Sequence, residues 1–129
     1  MKPALMLTIF FMAGCTLSVN NQSKEALSSV TDLIGKTVEY RYGESVYHVT
    51  FDSDSTLHWE AIAGDEKGVV GQETYVAEFI KPGLLFISWG EANGINVSQV
   101  LDFNEGKVYN HLVRNRKADA GDGKIKIIP

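Results

Sequence analysis

Tyr40, Tyr42, Tyr47, Trp59, Trp89 and Glu91 are the side chains of this 129-residue chain whose types and spacing invite chemistry. Tyr40 and Tyr42 lie two apart, so on a strand they share one face, and Tyr47 follows across a Gly-containing turn. Glu91 comes just after LLFISWG, where an apolar run ends at Trp89 and a second Gly-containing turn begins. A carboxylate against aromatic walls is partly desolvated, which raises its pKa and suits it to act as a general acid near neutrality. Phenols beside it would hold the carboxylate or phenolate of a small aromatic molecule. A solvated turn charge is the commoner role for a residue placed like Glu91, and a filled core whose phenols bond to backbone fits as well as a cavity does.

Other chemistries find little support. His48, His58 and His111 fall on three separate segments without a nearby carboxylate partner, so no metal site is expected. The chain has no Gly-rich phosphate loop and no GxSxG nucleophile motif, and nothing in it calls for a cofactor. A net charge of −4, without a basic stripe, argues against a nucleic-acid partner.

The elements that must position these residues show a period of two. TVEYRY, VYHVTF, TLHWEA, ETYVAEF, LLFISW, INVSQVLDF and KVYNHLV are short and rich in β-branched and aromatic residues. Between them stand GES, DSDS, GDEKGVVGQ, KPG, GEANG and NEG, each with the Gly, Asp, Asn or Pro that a turn needs. KIKII near the end adds an eighth candidate strand, and SKEALSSVTDLIG before the first reads as a short helix capped by Ser23. The predicted fold is therefore all-β: a small antiparallel up-and-down barrel of seven or eight strands with a short N-terminal helix. Alternation sends Val38, Tyr40 and Tyr42 inward, together with Tyr47, Val49 and Phe51, Leu57 and Trp59, and Leu85, Ile87 and Trp89. Such an interior is either just filled by side chains or wide enough for one small ligand.

The first residues suggest an address. MKPALMLTIFFMAGC has a lysine, an apolar run too short to cross a bilayer as a helix, and small residues before Cys15. This resembles a bacterial lipobox. It implies a signal peptide over 1–14, lipidation at Cys15, a polar tether over 15–23 and a barrel domain over 24–129. Cys15 is the only cysteine, so it has no disulfide partner within the chain. Cleavage removes one lysine and no acid, leaving 115 residues with 11 bases against 16 acids, a net −5. Thr16 after the cysteine leans towards the periplasmic face of the outer membrane, with the lipid as the membrane contact.

The segments IGKTVEYRYGESVYHVTFDSDSTLHWE, GVVGQETYVAEF and LLFISWGEANGINVSQVLDFNEGKVYNHLV resemble the calycin-type, lipocalin-like barrel shared by MoaF-like domains and bacterial phenolic acid decarboxylases. In the decarboxylases a tyrosine pair binds one end of a hydroxycinnamic acid, while an arginine and a glutamate act at the other. The resemblance puts Tyr40 and Tyr42 at the tyrosine pair and Glu91, in SWGE, at the glutamate. Where the arginine belongs, in a GRW stretch, this chain has GQE, which places Gln72 there. Glutamine can donate a hydrogen bond but supplies no fixed charge. Losing a charge-assisted contact of about 1.5–3 kcal/mol would slow turnover by roughly one to two orders of magnitude. The MoaF-like resemblance suits the chain better in size. The resulting expectation is a barrel binding a small aromatic or amphipathic molecule through Tyr40, Tyr42, Tyr47, Trp59, Gln72, Trp89 and Glu91. A cofactor-free lyase with Glu91 as proton donor is the alternative.

Overall fold

The computed structural model describes residues 25–129. The leader, Cys15, the tether and Ser23 lie outside the described residues. Eight antiparallel strands close into an up-and-down barrel in which each strand pairs with its neighbours in sequence and the last returns to the first. They are β1 (Thr37–Tyr42), β2 (Ser45–Phe51), β3 (Thr56–Ala63), β4 (Val70–Lys81), β5 (Leu84–Gly90), β6 (Asn96–Asp102), β7 (Lys107–Arg114) and β8 (Lys117–Ile128). Closure pairs Thr37 with Ile128 and Arg41 with Lys124, so no strand edge is left open.

Two expectations need correction. The segment read as a helix forms only one 3-10 turn, Val30–Leu33, with Ser29 rather than Ser23 as its cap. The Ser29 hydroxyl accepts from the Thr31 N–H, and Asp32 accepts from the Ser28 and Ser29 N–H groups, which also holds the Asp32 carboxyl below its usual range. Serines at 28 and 29 favour such local bonds over a continuing helix. The second correction is β8, which starts at Lys117 and not at KIKII. Its first half, KADAGDG, lacks the apolar side chains that announce a strand: on the register of the inward Leu112, Asn110 and Val108 it carries Asp119, Gly121 and Gly123.

The two ends of the barrel are built differently. Phe51, Leu57, Leu85, Leu101 and Val108 are fully buried at the end where the β2–β3, β4–β5 and β6–β7 turns meet. Residues 25–35 run across that end. Leu33 is fully buried, Leu27 packs on the core, the Gly83 N–H donates to the Leu27 carbonyl and the Gly35 N–H to that of Phe51. Phe51 meets Tyr75 edge-on, with ring centroids 5.5 Å apart. The Tyr75 hydroxyl donates to the Ser53 carbonyl at 2.6 Å. This half is a sealed apolar core.

On the outer face Glu39 is covered by three neighbours. His48 lies across from it on β2, Arg41 bonds it at 2.7 Å and Lys126 approaches from β8 at 3.8 Å. The His48 and Arg41 hydrogen bonds hold the Glu39 carboxyl below its usual range. His58 pairs with Asp52. These histidines therefore serve the outside of the wall, and among the described residues no group of His, Cys, Asp or Glu is arranged to hold a metal ion.

Candidate functional site

The opposite end, carrying the β1–β2, β3–β4, β5–β6 and β7–β8 connections, is hollow. It holds a cavity of about 340 Å³ that opens between those loops, near the lower bound of the ~300–1,000 Å³ typical of small-molecule sites. Tyr40 and Tyr42 enter from β1, Tyr47 and Val49 from β2, Trp59 from β3, Trp89 from β5, Val97 and Gln99 from β6, and Asn110 and Leu112 from β7. Glu66, Val69, Glu91, Asn93 and Ile95 form the rim from the loops.

Glycine makes the room. Gly121, opposite Asn110 on β8, faces the cavity, and a Cβ there would meet nothing within 4 Å. At Gly123 a Cβ would strike the Arg41 carbonyl at 2.5 Å and the Tyr42 ring at 2.7 Å, so this glycine lets the phenol lie against β8. Gly71 does the same for Trp59, whose indole would sit 2.5 Å from a Cβ at that position.

The aromatic wall is continuous. Ring centroids step from Tyr40 to Tyr42 at 6.4 Å, from Tyr42 to Tyr47 at 6.2 Å and from Tyr47 to Trp59 at 6.1 Å, within the range of favourable aromatic pairs. Tyr40 is the deepest of these phenols. It is 2% exposed and its hydroxyl has no hydrogen-bond partner among the described residues. Burial, and then the neighbouring Tyr42, push its pKa well above the ordinary phenol range, so it is a neutral donor. Gln99, 5% exposed, donates both amide hydrogens, to the Tyr42 hydroxyl at 3.3 Å and to Asn110 Oδ1 at 3.0 Å. Its own Oε1 is left without a partner. Buried polar atoms are nearly always satisfied, so two unpartnered atoms on residues that line one cavity are candidate bonding points for a guest.

The rim is acidic. Tyr47 donates to Glu66 Oε2 at 2.6 Å, and burial together with that bond and the nearby acids pushes the phenol up to about 12. Glu91 is half-buried and accepts from Trp89 Nε1 at 3.4 Å and Asn93 Nδ2 at 3.3 Å. Burial raises its carboxyl above the ordinary range, against those two bonds, and Glu73 and Glu66 push it further the same way. Trp59 Nε1 donates to Glu73 Oε1 at 3.3 Å. Among the described residues, those lining the cavity include no Lys, Arg or His.

The structure thus gathers Tyr40, Tyr42, Tyr47, Trp59, Trp89 and Glu91 around one cavity. Gln72 does not join them and must be withdrawn. On β4 the inward residues are Gly71, Glu73 and Tyr75, and alternation turns Gln72 outward, opposite the exposed His58. The GQE stretch therefore turns a second acid, Glu73, towards Trp59 and leaves the amide in solvent. Gln99 and Asn110 were missed, although both were legible: each stands between apolar neighbours, Val97 and Leu101 or Val108 and Leu112, on an inward face. Glu66 had no such signal, because the path of a loop is not set by strand alternation.

Together these features define an eight-stranded antiparallel barrel, packed at one end and open to an aromatic cavity at the other. The chain belongs to the MoaF-like family, whose model matches residues 34–126. The crystal structure of a Burkholderia vietnamiensis protein, provisionally described as a beta-lactamase, has the same fold: TM-score 0.69 at 22% identity, covering 74% of this chain and 95% of that one. Comparison with curated proteins finds no match.

Proposed function

We propose that this protein binds one small aromatic or amphipathic molecule in the open half of its barrel. The observation that carries this reading is an aromatic cavity of about 340 Å³ whose lining includes two residues, Tyr40 and Gln99, each with one buried polar atom, Oη and Oε1, unpartnered among the described residues. Leaving a buried donor or acceptor unsatisfied costs about 1–3 kcal/mol, a cost that a guest bonding both atoms would remove. The apolar body of the guest would lie along the Tyr42, Tyr47 and Trp59 rings. The setting we favour is the cell envelope, with the domain held to a membrane by acyl chains on Cys15. Intact mass of protein isolated from its native membrane tests that, and an unmodified Cys15 would refute it.

Both tryptophans of the chain line the cavity, so intrinsic fluorescence reports on it directly. Titration with a neutral phenol, 4-hydroxyphenethyl alcohol, should change that fluorescence saturably. Gly121→Leu should abolish the response while leaving the fold intact, because the new side chain projects into open space at a position without positive φ. An unchanged response in Gly121→Leu would place binding outside the barrel.

The alternative reading is a cofactor-free, decarboxylase-like lyase, favoured by the place of Glu91, half-buried at the cavity rim against Trp89, where burial raises its carboxyl towards the range of a proton donor. Against it stands the rim, which offers a carboxylate substrate no cation. Conversion of p-hydroxycinnamic acid to vinylphenol, lost in Glu91→Gln, would establish that reading.

A further inference from the structure

We propose that the ligand is a small aromatic amine that carries its ammonium at the mouth and a neutral hydroxyl, or another group that both donates and accepts, at the floor. This rests on the binding reading above and specifies the chemical class of the guest. Three observations converge on it.

The floor is neutral and asks for both hydrogen-bond roles. Tyr40 is a buried phenol held in its protonated form, so its hydroxyl has a proton to give. Gln99 Oε1 can only accept. Tyr42 accepts from Gln99 and still has its own proton to give. A carboxylate or phenolate could accept from the tyrosines but would face the Gln99 oxygen without a hydrogen. A hydroxyl serves both partners.

The mouth is the opposite of an anion site. Glu66 and Glu91 line it, Glu73 lies close enough to disfavour ionisation of Glu91, and no basic side chain lies among the lining residues. An incoming anion would meet repulsion there with nothing to offset it. An incoming cation would meet the exposed Glu66 and the half-buried Glu91, and at Glu91 a charge-assisted bond is stronger than at an open surface.

The mouth is also walled by aromatic rings. Tyr47 and Trp59 stand 6.1 Å apart at 67°, with Trp89 on β5 also lining the cavity. The two rings are in edge-on contact with each other and both line the cavity, and an ammonium over an aromatic face is attracted by its quadrupole. Carboxylates and aromatic rings without a competing lysine or arginine are the ingredients of an amine-binding cage.

The test compares three probes with one phenol and three tails: tyramine, 4-hydroxyphenethyl alcohol and 3-(4-hydroxyphenyl)propionate, titrated by calorimetry at pH 7. The expected order is amine, then alcohol, then acid, with the amine preferred over the alcohol by about tenfold or more. In the Glu66→Gln/Glu91→Gln double variant the preference for the amine over the alcohol should disappear. Equal binding of all three, tightest binding of the acid, or an amine preference that survives the double variant would overturn the amine assignment while leaving a binding barrel. Failure of all three probes, the neutral alcohol included, would overturn the binding reading itself. If the double variant unfolds, Glu91→Gln alone, checked by its circular dichroism, must still weaken the amine more than the alcohol.

Discussion

Replacing Tyr40 by Phe should make the free protein more stable and a worse binder. The ring is buried and its hydroxyl has no partner, so the substitution removes one oxygen and leaves the packing almost unchanged. An unsatisfied buried polar group costs about 1–3 kcal/mol, and that cost is relieved. For a domain of this size each 1 kcal/mol moves the melting midpoint by about 4–8 °C. A rise of at least several degrees is therefore expected, with a matching shift of the urea midpoint and no change in its slope. Affinity for a hydroxylated probe such as tyramine should fall by the net worth of one hydrogen bond, about 0.5–1.5 kcal/mol, or roughly two- to twelvefold. Tyr75→Phe is the control. Its hydroxyl donates to the Ser53 carbonyl at 2.6 Å, so the same change there should destabilise by about 1 kcal/mol. If Tyr40→Phe lowers the midpoint as Tyr75→Phe does, the Tyr40 hydroxyl is satisfied in the free protein and the reasoning from orphaned atoms fails.

Gly71→Ala should displace the Trp59 indole, since the new methyl would lie 2.5 Å from it; a changed tryptophan emission spectrum and weaker probe binding are expected. Asn115 and Arg116, at φ 48° and 66°, form the two-residue turn between β7 and β8, where Gly is favoured at the second position; Arg116→Gly should stabilise by about 1 kcal/mol in urea unfolding. Phe51→Ala empties part of the sealed core and should cost about 3–5 kcal/mol by the same assay. Glu91 has a folded pKa above 4.5, so between those two values the folded state holds a proton that the unfolded chain has released. Its contribution to stability is therefore lost as pH rises through the folded pKa, and Glu91→Gln should flatten the fall measured above pH 4.5. Glu39, whose pKa is lowered, acts in the opposite sense and loses its contribution as pH falls through its folded value.

How legible the molecule was depended on what each element uses to hold itself. β1, Thr37–Tyr42, could be read to the residue, because Val38, Tyr40 and Tyr42 alternate with polar partners and glycine follows. β8 could be read only in its second half, since its inward positions at Gly121 and Gly123 are chosen for what they leave empty. The 3-10 turn was overread as a helix because Leu27, Val30 and Leu33 lie near helical spacing. What places them is the end of the barrel that they cover, a tertiary cause absent from the local pattern. In the site, aromatic residues and Glu91 stood out by type, and Gln99 was hidden only by being polar on an apolar face. Gln72 was assigned through a motif whose charge this chain lacks, and strand alternation argued for Glu73 instead.

The pairing of β1 with β8 also fixes when the site comes into existence. Thr37 and Ile128 lie at opposite ends of the folded chain, and contacts so distant in sequence carry the largest loop-closure cost and form slowly. Tyr40 and Tyr42 come from one side of that seam and Gly121 from the other. A nascent chain therefore has no cavity until its final strand docks, so a guest cannot template assembly of the early strands. Ligand added during refolding should leave the folding rate unchanged and slow only unfolding, a kinetic signature of a site completed last.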